Sequence, residues 1–80
     1  MDIRKGMKFQ FHSARPGGLY DGFIFIVAKL GKFSLTLKND ADLHPLDVFY
    51  NGFQINYLDF QLAIKADIYT LIPQNNETQI

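Results

Sequence analysis

The run "FIFIVAKL", Phe23 to Leu30, constrains this chain more than any other stretch. It is apolar at both odd and even positions, so a strand built from it needs cover on both faces. Ile24, Ile26 and Val27 are β-branched, which favours a strand over a helix. The run is far too short to span a bilayer. A buried strand is therefore predicted here, and the rest of the chain has to be arranged around it.

Its neighbours carry strand signals of their own. In "MKFQFH", Met7, Phe9 and Phe11 alternate with Lys8, Gln10 and His12, the period of a half-buried strand. In "KFSLTLK", Phe33, Leu35 and Leu37 point one way and Ser34 and Thr36 the other. Gly31-Lys32 between the last two runs predicts a tight hairpin with Gly31 at positive φ. "NDADLHPLD", residues 39–47, predicts a loop, because His44 precedes a proline and is pushed out of the helical region. Asn51-Gly52 in "VFYNGFQI" is a preferred type I′ pair, and closing it sets Tyr50 opposite Phe53 and Val48 opposite Ile55.

Residues 59–72 support two patterns. Phe60, Leu62, Ile64, Ala66 and Ile68 are spaced by two, as in a strand. "DFQLAIKA" also offers Asp59 as an N-cap ahead of good helix formers. The expectation adopted is a short helical turn near 59–65 and a closing strand over 67–72. Together these signals predict an all-β chain: a small barrel of five or six strands, or a strongly bent antiparallel sheet. Residues 1–72 would form one domain and the polar stretch 73–80 a flexible tail. By surface scaling, a chain of 9.2 kDa buries about 60% of its unfolded surface, enough for one core without staples.

The segment "GMKFQFHSARPGGLYDGFI" resembles the opening of KOW-type, Src-homology-3-like barrels. Gly6, Phe9, Phe11, Gly18, Gly22 and Ile24 would occupy the glycine and apolar positions of that pattern. The likeness covers about a quarter of the chain. It departs from the pattern by an extra loop residue and by lacking the acidic residue usual after the first glycine. It implies a binding module of the kind found on RNA and on ribosomal or transcription partners, without catalysis.

Several chemistries are disfavoured by the residues themselves. The absence of cysteine removes disulfides, thiolate metal sites and cysteine nucleophiles. "HSARPGGLYDG" gathers a histidine, a serine, an arginine and three glycines, but no helix start follows its glycines and Asp21 would repel a phosphate. Arg15-Pro16-Gly17-Gly18 instead has the residues of a type II turn. His12 and Ser13 are neighbours that a strand would aim to opposite faces, so no hydrolytic triad is expected. Asp40, Asp42, His44 and Asp47 lack the calcium-loop glycine and its distant glutamate, and they read as a solvated acidic loop. No catalytic residue, cofactor or metal is therefore assigned.

The net charge of zero conceals an asymmetry. Residues 1–38 carry +5 and residues 39–80 carry −5. Either the halves form a bipolar surface, or their strands interleave and the charges mix. Arg4, Lys5, Lys8, Arg15, Lys29 and Lys32, with Tyr20 as an exposed ring, form the expected partner-binding set. The function expected is a non-enzymatic protein-interaction module, a stand-alone inhibitor or adaptor of the phage-encoded kind that masks a surface of a larger machine. Its partner would have an acidic surface, with a second copy of the chain as another candidate. A nucleic-acid-binding barrel using the same cations with Tyr20 is the alternative. "MDIRKGMKFQF" has no apolar leader, so no membrane contact and a cytoplasmic location are expected. The terminal "ETQI" also resembles a ligand of strand-adding PDZ domains.

Overall fold

The structure, a computed structural model, describes residues 2–40 and 52–73. Strands β1 (Lys8–Phe11), β2 (Ile24–Leu30), β3 (Ser34–Asn39) and β4 (Phe53–Asn56) are followed by helix α1 (Tyr57–Lys65) and strand β5 (Tyr69–Ile72). All pairings are antiparallel, and the order β4-β3-β2-β1-β5 places the apolar run of β2 at the centre of the sheet. The sheet curls into a half-barrel, and α1 packs against its two edge strands, β4 and β5. The Val48, Tyr50 and Asn51 part of the expected hairpin, the rest of the 39–47 loop after Asp40, and residues 74–80 with "ETQI" lie outside the described residues.

Register assigns the faces. Phe9, Phe25, Val27, Leu35 and Leu37 are buried on the inner face, where α1 adds Phe60 and β5 adds Tyr69. The Phe60 ring meets Phe9 edge-on at 4.9 Å and lies 5.2 Å from Tyr69, so the helix covers the inner face. The second apolar face of β2 is closed differently. Ile26 stands on the outer face between Lys8 and Lys38 in cross-strand register, half-buried beside their aliphatic stems. A bulge between Val27 and Lys29 reverses the alternation, so Lys29 joins the outer face and Leu30 the inner.

Two local expectations change. Gly31 does not take positive φ. Its N–H donates to the Ser34 carbonyl at 2.8 Å, so the hairpin tip is Lys32-Phe33 rather than Gly31-Lys32. Gly31 is required by close approach, since a Cβ would lie 2.9 Å from the Ser34 oxygen. Phe33 therefore leaves the core periodicity of β3 and is 72% exposed at the tip. In α1, Asn56 is the N-cap, accepting from the Leu58 N–H at 2.7 Å, and Asp59 sits in the first turn. Among the described residues no helix is long and apolar enough to cross a membrane.

Candidate functional site

The antiparallel sheet has two ends, and the chemistry-bearing residues divide between them. β2 spans about 20 Å. At its start lies the connection from β1, residues 12–23, hereafter the loop end. At its finish the β2–β3 hairpin meets the segment before β1, as the Gly6 N–H bond to the Val27 carbonyl shows. The N-terminus of α1 docks at this hairpin end. The Tyr57 hydroxyl donates to the Gly31 carbonyl at 2.8 Å, and the Tyr57 N–H donates to Phe33.

Of the expected partner-binding residues, Arg4, Lys5, Lys29 and Lys32 come together at the hairpin end. Arg4 is engaged by Asp2 at 2.9 Å. Lys5, Lys29 and Lys32 form no ion pair among the described residues. Lys32 stands 5.5 Å above the Phe33 ring. Lys8 lies apart on the outer face, paired with Asp40 at 2.9 Å. Arg15 and Tyr20 are at the loop end. Tyr20 is half-buried with its ring against Phe23 at 5.1 Å, so it does not stand free as a stacking platform.

Sequence periodicity did not reveal the apolar groups at the hairpin end. Leu30 and Phe33 of the hairpin are exposed there, and α1, which starts at this end and runs away from it, exposes Leu58 (66%) in its first turn and Leu62 (56%) one turn further on. Leu58 and Leu62 are four residues apart and share one helix face. Phe60 and Ile64, also four apart, occupy the face packed on the core. The hairpin end thus carries exposed Leu30 and Phe33, the helix start with Leu58, and three lysines without carboxylate partners among the described residues.

The loop end is built for rigidity. Gly18 N–H donates to the Arg15 carbonyl at 2.9 Å, with Gly17 at φ +77°, which makes the type II turn expected at Arg15–Gly18. Two further turns follow, closed by Asp21 to Gly18 and Phe23 to Tyr20, with Tyr20 at φ +66° and Gly22 at φ +85°. The Asp21 carboxylate accepts from the Ser13 N–H at 2.8 Å and the Gly17 N–H at 3.0 Å, and those bonds lower its pKa below 3.8. Amides that a phosphate would need are held by the loop's own carboxylate. Ser13 Oγ bridges the Arg15 backbone, and His12 Nε2 lies 3.0 Å from Thr70 Oγ1, so neither side chain is directed at the other. No group of three metal-ligating side chains occurs among the described residues. No protein-family model, curated protein or solved structure matches the chain.

Proposed function

We propose that this chain is a non-enzymatic protein-interaction module, an inhibitor or adaptor that covers an acidic surface of a larger protein through its hairpin end. One observation carries the reading: Leu30, Phe33 and Leu58 are exposed at the end of the sheet toward which Lys5, Lys29 and Lys32 also lie. An apolar centre with a charged rim is the composition of a protein interface. The lysines add long-range attraction to an acidic partner and repel a second copy presenting the same end.

The test uses the chain and its Leu58→Asp variant as immobilised baits in parallel. The partner is expected on the parent and absent from the variant, and the purified partner should bind with an acidic surface buried. Retention of the same partner by both baits excludes the hairpin end. A nucleic-acid reading is favoured by one feature, the exposed Phe33 ring beside Lys32. Anisotropy of labelled single-stranded and duplex oligonucleotides at about 50 and 200 mM salt decides it, since phosphate contacts impose a steep salt slope. The aliphatic Leu58 and Leu62 offer nothing to a base, so no binding is expected.

A further inference from the structure

Tyr57 stands where the β2–β3 hairpin meets the start of α1, and it engages the hairpin tip through two bonds. Its N–H donates to the Phe33 carbonyl at 3.2 Å and its hydroxyl donates to the Gly31 carbonyl at 2.8 Å. The two acceptors flank Lys32, so one residue of the helix holds the tip on both sides. The Tyr57 ring is half-buried and packs against the core, which fixes the position from which its hydroxyl reaches out. Tyr57 opens α1, and a helix leaves its first amides without partners of its own. Here the hairpin supplies one of the missing acceptors. Gly31 is fixed in turn by its N–H bond to the Ser34 carbonyl, at an approach that leaves no room for a Cβ.

From this geometry we infer that Tyr57 is a positioning residue: it locks the hairpin tip to α1, so that Lys32, Phe33 and Leu58 are presented in one fixed arrangement before a partner arrives. The inference rests on reading the chain as a protein-interaction module, because those three residues belong to the proposed interface. Phe33 is largely exposed, and Lys32 stands over its ring rather than on the core. A hairpin tip of this kind is ordered at an entropic cost when a partner binds it, and that cost weakens binding. A tip tethered at the carbonyls of residues 31 and 33 has given up that backbone freedom in the free chain. Both bonds end on main-chain oxygens, so they fix the tip whatever rotamer Lys32 adopts. Leu58 follows Tyr57 directly in α1, which ties the exposed leucine to the same anchor.

The test compares the free parent chain with Tyr57→Phe, which keeps the ring and removes the hydroxyl, with folding of the variant checked by circular dichroism. Backbone order is read by nuclear magnetic relaxation of the amides in isotope-labelled chains. In the parent, residues 32 and 33 should have order parameters near those of β2, about 0.85. In Tyr57→Phe they should fall toward about 0.6, the range of a flexible segment, while β1, β2 and β5 keep their values. Urea unfolding of both chains separates positioning from general support. A residue that only adds stability would lower the unfolding midpoint and leave the tip as ordered as before, and that result overturns the inference. A parent chain whose tip is already flexible overturns it as well, without recourse to the variant. The measurement needs no partner. Its failure therefore leaves the interaction reading to the Leu58→Asp capture, and failure of that capture leaves the lock in the free chain.

Discussion

Asp21 is the residue on which the β1–β2 connection turns. A carboxylate accepting two backbone N–H groups is favoured in its charged form, so its folded pKa lies below the value it has in the unfolded chain. The sign follows directly: the contribution is present above pH 3.8 and is lost as pH falls through the lower folded value. Ser13 and Gly17 amide resonances should titrate together with a midpoint below 3.8, and Asp21→Asn should abolish that transition. A midpoint at or above 3.8 would mean that the carboxylate does not hold the loop. The turn itself was legible in sequence, because Pro16 sets φ and Gly17 supplies the positive φ that a type II turn demands. Gly31 was legible as a glycine position but not for its reason, since close approach to a carbonyl depends on tertiary geometry. Gly31→Ala should destabilise by about 1–2 kcal/mol through that contact, measured by urea unfolding, while Gly6→Ala should act only through its backbone conformation.

At the level of elements, α1 decides whether the half-barrel has a closed core. Phe60 is its one buried residue, and it joins Phe9 of β1 to Tyr69 of β5. Phe60→Ala should cost about 3–5 kcal/mol, a large share of the 5–15 kcal/mol that stabilises an ordinary domain. Denaturant unfolding followed by circular dichroism measures it. A loss below about 1 kcal/mol would show that the helix is not part of the core. Asn56→Ala should cost about 1 kcal/mol through the lost cap and leave the strands intact. The strands were read within about two residues, the starts of β3 and β5 being the furthest off, because their alternation is local. The helix was misplaced at its start because Asp59 was read as the cap, a place that Asn56 holds. Its apolar spacing by two was also misleading: Phe60 and Ile64 pack on the core, but Leu62 and Ile68 do not. Phe33 was assigned to the core for the same reason, and the turn tip removed it.

Over the whole molecule, topology carries the charge segregation of the sequence only partly into space, since Asp2 and Asp59 lie at the basic end and Arg15 at the other. Strands β1 to β3, all from the basic half, stay adjacent in the middle of the sheet, and the acidic half supplies both edges and the helix. Antiparallel pairing of β1 with β2 then brings Arg4 and Lys5 to the end occupied by Lys29 and Lys32. Asp21, Asp40 and Asp67 lie toward the other end, where Asp40 donates its N–H to Ile24 and Asp67 follows the helix. Such polarity steers association more than it fixes affinity, and exposed ion pairs contribute little to folding. Reversing Lys29 and Lys32 together to glutamate should therefore slow association with an acidic partner and flatten its salt dependence. Stability should stay within about 0.5 kcal/mol, as for surface changes generally. Leu58→Asp should instead raise the dissociation rate, because it removes an apolar contact from the interface. Surface plasmon resonance at two salt concentrations separates the two effects. An unchanged association rate in the double lysine variant would take the basic end out of recognition and leave its leucines and Phe33 to carry binding alone.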